Sequence, residues 1–316
     1  MPLTLRQMTY FVALADAGTF RAAAARVHIS QPALSLQIKE MEETLGARLV
    51  ERLPRDIRLT RAGQEVLTRC RAILSDVRDL EQAVRLQSGL SGRLMLGVIP
   101  TVAPYLLPLA LTRIRAQDLT LELRVREAQT DRLLDELRRG ALDAVVMALP
   151  VPGQGLVARP LGEDHFLLAG SPSRVAHLRA RAQALVPAGI APDQLLLLDE
   201  GHCLADQALE VCGIGSRGQV DLGASSLSTL CGLVAEGFGL TLLPEIAVRT
   251  EAAAAPGLSL VRFDAPEPRR TLALVRRETT VDGWAEDLAR LLEGAVADLT
   301  GAARALVGPA TPAPSA

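Results

Sequence analysis

The sequence predicts an α/β protein with an all-α winged helix-turn-helix at its N-terminus, a linker helix of coiled-coil type, and a two-lobed Rossmann-like effector domain. Three observations carry this prediction. Residues 4–52 repeat apolar side chains at helical spacing on either side of a tight turn. Residues 66–84 keep an apolar period of 3.5 residues. Beyond residue 92, short apolar runs alternate with helix-like segments, the pattern of an α/β region.

At 316 residues the chain is too long for one typical core and predicts two or three domains. Hydrophobic residues make up 49% and charged residues 22%, as in globular proteins. No apolar run approaches the ~20 residues needed to span a bilayer. The opening Met1-Pro2-Leu3-Thr4-Leu5-Arg6 lacks the charged-then-apolar build of a signal peptide. The expectation is a cytoplasmic protein with no membrane partner, in which the four cysteines rest as thiols. A net charge of −2 argues nothing for nucleic acid. Residues 1–62, however, carry nine Arg or Lys against six Asp or Glu, a modest basic footprint.

Element by element, Thr4 is placed to cap a first helix with Met8, Phe11, Val12 and Leu14 on its inner side, closed at Gly18. Thr19 caps a second, Phe20 to Val27. After the turn Val27-His28-Ile29-Ser30, Pro32 falls in the first turn of a third helix, where its missing N–H costs nothing. Leu34, Ile38, Met41 and Leu45 then recur up to Gly46. Two helices about such a turn form a helix-turn-helix, whose second helix would enter the major groove of double-stranded DNA. Ser30, Gln31, Ser35 and Gln37 would meet base edges or phosphates, and Pro32 a thymine methyl. Lys39, the only lysine, and Arg52 suit phosphates. Residues 53–62 alternate and are basic, predicting a hairpin wing whose Arg55 and Arg58 reach the minor groove. Each polar residue in this set is equally readable as a solvated surface side chain.

Val66, Cys70, Ile73, Val77, Leu80 and Val84 follow steps of 4, 3, 4, 3 and 4, which favours a paired linker helix over a bundle stripe. Cys70 then is a packing residue. The predicted boundaries are 1–62 for the winged helix-turn-helix, 63–88 for the linker, 89–300 for the effector region and 301–316 for an Ala- and Pro-rich disordered tail. A hinge-like Ser88-Gly89-Leu90-Ser91-Gly92 opens the α/β region. Strands are predicted at 94–99, 119–125, 144–148 and 195–198, helices at 104–116 and 130–139. Residues 159 to about 261 form the second lobe. The run 271–275 and a helix 281–299 return to the first, in the manner of periplasmic binding proteins. Two lobes with crossing strands enclose a cleft suited to a small effector.

The most informative segment is Gly201-His202-Cys203-Leu204-Ala205-Asp206-Gln207-Ala208-Leu209-Glu210-Val211-Cys212. It holds two of the four cysteines, and such a pair in a cytoplasmic chain points to redox chemistry rather than a structural bridge. The stretch from Cys203 to Leu209 reads helical, so nine steps of ~1.5 Å separate the two α-carbons by roughly 13 Å. A disulfide needs them within about 7 Å. Joining these sulfurs would therefore require the helix to unwind. Cys231, inside a predicted helix Leu227–Ala235, reads as core.

Residues Phe11–Leu59 resemble the LysR-type transcriptional regulators. The resemblance rests on Phe20-Arg21-Ala22-Ala23-Ala24, Ser30-Gln31-Pro32-Ala33-Leu34-Ser35, Ile38-Lys39-Glu40-Met41-Glu42 and Leu45-Gly46, and continues through 49–52 and Thr60-Arg61-Ala62-Gly63. Further on, residues 99–108, Glu127-Ala128-Gln129-Thr130, the cysteine segment and Glu267-Pro268-Arg269-Arg270-Thr271 are similar to the peroxide-sensing branch of that family. Nearly the whole chain is covered, the Ala/Pro tail excepted. By this resemblance Cys203 matches the peroxide-reacting cysteine and Cys212 the resolving one. Thr101, His202 and Arg270 match residues lining the peroxide pocket, and Thr130 lies in a segment near it. Residues 213–218 are glycine-rich and depart from the family's pattern, which leaves the disulfide less secured than the reactivity of Cys203.

The implied chemistry starts from a thiolate, the nucleophilic form of cysteine. Cys203 sits at the predicted start of a helix, where the macrodipole favours an anion. Thr101 and His202 would orient hydrogen peroxide and stabilise the leaving hydroxide. The sulfenic acid formed on Cys203 would condense with Cys212, and a thiol reductant such as glutaredoxin or glutathione would reset it. No cofactor or metal is implied. The expected assembly is a homo-oligomer, a dimer of dimers, acting on promoter DNA with RNA polymerase. Other readings stay open. The cysteines are readable as two ordinary buried thiols, His202 as structural, Thr101 as a helix cap, and Arg270 as a salt-bridge residue rivalled by Arg269. A regulator binding a metabolite in the interlobe cleft, or a thiol peroxidase, would fit parts of the pattern.

Overall fold

The computed structural model describes residues 2–53, 56–85, 93–117, 121–181, 184–215, 224–280 and 283–308. Arg55, the hinge at 88–92, residues 216–218 and the tail beyond Gly308 lie outside these, as do the side chains of Arg52 and Val84. The chain divides into two compact units, Met1–Val84 and Arg85–Ala316.

The first unit follows its caps. Helix α1 (Leu5–Ala17) starts at Thr4, whose hydroxyl accepts from Gln7 N–H while Gln7 reaches back, a capping box. It stops at Gly18, whose φ of 72° puts it in the left-handed region that glycine enters without steric cost. Thr19 caps α2 (Phe20–Arg26) and Ser30 caps α3 (Gln31–Leu45), with Pro32 in the first turn. Phe11, Leu14, Ala23, Leu34, Ile38 and Met41 form the core. Leu45, expected on that inner stripe, is exposed because Gly46 ends the helix there. The wing is the antiparallel pair β1 (Val50–Arg52) and β2 (Ile57–Leu59), so it opens earlier than residues 53–62 predict.

Helix α4 (Arg61–Arg85) runs 25 residues. Its seam is buried at Cys70 (3% exposed) but open at Ile73 (39%) and Leu80 (67%). The near end of the stripe therefore belongs to the first unit's core, and the far end is an apolar edge in the single chain. Burial pushes the Cys70 thiol up, as expected of a packing residue.

The second unit holds a seven-stranded mixed sheet in the order β4-β3-β5-β9-β6-β7, with β8 also on β6. Its elements are β3 (Arg93–Val98), α5 (Ala103–Gln117), β4 (Glu122–Glu127), α6 (Thr130–Arg138), β5 (Ala144–Ala148), β6 (Leu156–Gly170), α7 (Pro172–Arg181), α8 (Cys203–Cys212), α9 (Leu227–Ala235), β7 (Leu240–Pro244), α10 (Glu245–Ala254), β8 (Ser259–Arg262), β9 (Arg269–Arg277) and α11 (Gly283–Val307). The strands β3, β4 and β5 are parallel, whereas β9 is antiparallel to both β5 and β6. The long β6 joins two lobes: its first part pairs with β9, and Phe166–Gly170 pairs with β7. One continuous core lines both.

Two expectations are corrected. Residues 195–198 form no strand but two isolated bridges, Leu195 to Leu240 and Leu198 to Ala224. The preceding 3-10 turn Pro192–Gln194 leaves no room for a ladder, and Leu195, Leu196 and Leu198 satisfy their apolar character by burial alone. The tail is not disordered from residue 301, because α11 continues to Val307. Thr300 and Ala303 are buried on it, and Arg304 reaches the buried Glu245 at 3.2 and 3.3 Å. Glu245 also holds Arg262, which donates to Gly308 O at 2.7 Å, and lies 3.4 Å from His165 Nδ1. Burial pushes the Glu245 carboxyl up, but the hydrogen bonds from Arg262 and Arg304 outweigh this and hold it below its ordinary range. Among the described residues no helix is long and apolar enough to cross a membrane.

Candidate functional site

Helix α8 forms on an apolar stripe, Leu204, Ala205, Ala208 and Cys212, with Asp206 in its positive first turn. Gly213, at φ 66°, ends it, and Ile214 N–H returns to Leu209 O at 2.9 Å. Cys203 is the first residue of the helix and half-buried, with its backbone N–H at the dipole's positive end. Its sulfur makes no hydrogen bond among the described residues. Cys212 is the last residue, 4% exposed, and burial pushes its thiol up to about 11. The two cysteines thus mark opposite ends of one rod, separated by about 13 Å of helical rise.

The turn leading into α8 is clamped. Gly201 has φ +88°, and a Cβ there would fall 2.6 Å from the Gln129 amide. That amide donates to Glu200 O at 3.0 Å. Gln129 is the N-cap position of α6, so Thr130, next along, stands beside the cysteine turn. Thr130 Oγ1, His202 Nδ1 and Gln207 Oε1 are all buried, and none has a hydrogen-bond partner among the described residues. Buried polar atoms are rarely left so. Two of them lie on the N-cap and second turn of α8, and the third at the start of α6, which Gln129 ties to the turn before Cys203; such atoms suit a small molecule that both donates and accepts.

Thr101 and Arg270 are brought together directly. Arg270, 4% exposed, donates from Nη1 to Thr101 Oγ1 at 3.1 Å and from Nη2 to Thr101 O at 3.4 Å. Its Nε donates to Asp164 at 2.9 Å, and its guanidinium lies 5.9 Å from the centre of the Phe166 ring. Thr101 is therefore an acceptor for Arg270 rather than the cap of α5. Arg269 points the other way and pairs with the exposed Glu163 at 3.0 Å, which removes it as a rival. Burial pushes the Asp164 carboxyl up, opposed by Arg270 and by the N–H of Ile246. Asp164, Phe166, Gln129 and Gln207 have no role in the sequence reading. Gln129 and Gln207 lie within the segments that carry the resemblance, but Asp164 has no such signal.

Cys231 lies at the centre of the effector core, and burial pushes its thiol up to about 12. On α3, Gln31 and Pro32 are exposed and Ser35 is partly so. The Ser30 hydroxyl accepts from Ala33 N–H at 3.3 Å and is occupied as the cap. Gln37 donates to Glu40 at 2.8 Å, and Lys39 pairs with Glu43 at 3.4 Å on the exposed face. Arg58 is exposed on β2.

Fold and site together define a helix-turn-helix transcription regulator with a two-lobed effector domain. The profile described as "Bacterial regulatory helix-turn-helix protein, lysR family" matches residues 5–64, and "LysR substrate binding domain" matches residues 87–295. The chain belongs to the LysR family, whose members are transcription regulators rather than enzymes. Within it the chain is similar to OxyR. It is 41% identical over 300 residues to a "Probable hydrogen peroxide-inducible genes activator" of Streptomyces viridosporus, covering 94% of this chain and 95% of that one. It is 39% identical over 277 residues to the "DNA-binding transcriptional dual regulator OxyR" of Escherichia coli K12, covering 87% and 90%. A full-length cysteine-to-aspartate variant of OxyR from Pseudomonas aeruginosa superposes with a TM-score of 0.72 at 29% identity, covering 94% and 95%.

Proposed function

We propose that this regulator senses hydrogen peroxide through Cys203. The observation that carries the reading is the half-buried thiol at the start of α8, with buried polar atoms of His202, Gln207 and Thr130 that have no partner among the described residues. The Cys203 thiolate attacks one peroxide oxygen, the O–O bond breaks, and hydroxide leaves to become water. Thr130, His202 and the Thr101–Arg270 pair orient the peroxide and stabilise the departing oxygen. The sulfenic acid then condenses with the Cys212 thiol, forming the S–S bond and releasing water. That step demands unwinding of α8 and so changes the second unit's surface. Two equivalents of a thiol such as glutathione, or glutaredoxin, reduce the bond again.

The output is altered binding to promoter DNA through α3 and the wing. Gln31, Pro32, Ser35 and Gln37 meet the major groove, Lys39, Arg52 and Arg55 meet phosphates or the wing's groove, and Ser30 sets the helix start. The α4 edge pairs two chains, and a dimer of dimers engages RNA polymerase in the cytoplasm.

Brief treatment of the full chain with stoichiometric peroxide, followed by intact-mass and peptide mapping, tests this. A loss of about two mass units mapped to a Cys203–Cys212 bridge is expected. Arrest at sulfenic acid keeps the sensor and removes the disulfide step. Fully reduced thiols would overturn the reading and favour an effector-binding regulator.

A further inference from the structure

Arg270 is held on three sides, and the hold depends on an irregularity in β6. Between Pro160 and Gly162 the pairing of β6 with β9 shifts by one residue. Before the shift Pro160 faces Ala273; after it Gly162 faces Leu272 and Asp164 faces Arg270. In unshifted register Glu163 would stand opposite Arg270, since each step along one strand is matched by one step back along the other. The bulge therefore exchanges Glu163 for Asp164. Glu163 is left exposed to pair with Arg269, and the shorter carboxylate is buried against Arg270. Bulges of this kind recur where a side chain is re-aimed next to a site.

Both oxygens of Asp164 are committed. Oδ2 accepts from Arg270 Nε at 2.9 Å, and Oδ1 accepts from the N–H of Ile246 at 3.1 Å. Ile246 lies in the first turn of α10, where the helix dipole favours an anion. An arginine has five N–H donors. Asp164 takes the Nε donor and Thr101 takes two more, so two N–H groups remain without a protein acceptor among the described residues. A guanidinium gripped at Nε cannot turn about its own axis, so those two donors keep one direction.

We infer that Asp164 is the positioning residue of the peroxide reaction: through the bulge at Leu161 and the α10 N-terminus it fixes Arg270, and thereby Thr101, in the orientation that receives the peroxide's departing oxygen. This rests on the peroxide-sensing reading above. A merely structural ion pair would affect every reaction of Cys203 alike. A positioning residue affects only the reaction that needs an oriented donor, because alkylation by iodoacetamide expels iodide and uses no such group.

The test measures, on the full reduced chain, the rates of Cys203 with hydrogen peroxide and with iodoacetamide by quenched time courses and mass spectrometry. In Asp164→Asn the peroxide rate is expected to fall at least tenfold, with the iodoacetamide rate within about twofold of wild type. In Arg270→Gln the same fall is expected, and adding Asp164→Asn to it costs nothing further. Should Asp164→Asn not fold alone, Asp164→Glu, which keeps the charge but moves it by one methylene, takes its place with the same expected fall in the ratio. An unchanged ratio of the two rates, or additive losses in the double variant, overturns the role of Asp164 while leaving a fast wild-type sensor intact. A wild type that meets peroxide no faster than free glutathione does would overturn the sensing reading and this inference together.

Discussion

At the scale of single residues, the two cysteines of α8 differ in kind. Cys203 is half-buried at the helix start, whereas Cys212 is buried at its end with a thiol pushed up to about 11. Near neutral pH the thiolate fraction of Cys212 is roughly two orders of magnitude below that of an ordinary cysteine. In the reduced chain, iodoacetamide at pH 7.5 is therefore expected to label Cys203 at least tenfold faster than Cys212, and mild urea should narrow the gap as α8 frays. Equal labelling would mean that Cys212 is open before oxidation. The site was unevenly legible. Cys203, Thr101 and Arg270 sit in segments whose spelling carries their identity. Asp164 lies in Glu163-Asp164-His165, a charged triplet that reads as solvent-facing strand, and only the one-residue shift of register buries it.

At the scale of elements, helix ends explain most of what the sequence made plain. Thr4 and Thr19 cap α1 and α2 as their positions predict, Ser30, read from the sequence as a DNA contact, caps α3, and Gly18 and Gly46 stop two of the three. Because the Ser30 hydroxyl serves the Ala33 N–H, Ser30→Ala is expected to cost about 1 kcal/mol in the first unit, seen as a lower thermal midpoint of its unfolding. Any accompanying loss of DNA affinity should return with Ser30→Asn, which restores the cap without adding charge; a loss that persists there would mark a contact of the hydroxyl itself. Strand β6 was the least legible element. Pro160 and Gly162 both weaken a strand signal, yet they sit where the ladder is already irregular and so are tolerated. The bridges at Leu195 and Leu198 show the reverse, apolar residues that promise a strand and deliver only packing.

At the scale of the whole molecule, the carboxylate of Glu245 ties β8, α10 and the end of α11 together through Arg262 and Arg304. Composition pointed to a loose Ala/Pro tail, and it missed this because the anchoring residues are distant in sequence. The Glu245 carboxyl is held below its ordinary range, so its stabilisation is complete above the unfolded value near 4.5 and is lost as pH falls through the lower folded value. Glu245→Gln is expected to destabilise the second unit by roughly 1–3 kcal/mol at pH 7, since buried Arg262 loses one of its two carboxylate partners and keeps Glu267 at 3.0 Å. Denaturant titrations of both proteins should show the difference shrinking steadily below about pH 4.5. A difference independent of pH would assign the loss to packing.

Helix α8, with a cysteine at each end, also sets a race. On the proposed chemistry, oxidised Cys203 reaches Cys212 only after the rod between them melts, while more peroxide can carry the same sulfur on to the sulfinic state, which a thiol does not reverse. The melting rate of ten residues thus decides how large a dose the protein survives as a reusable gauge. A sequence change that stiffened α8 would make the gauge burn out sooner, and one that loosened it would lengthen its working life.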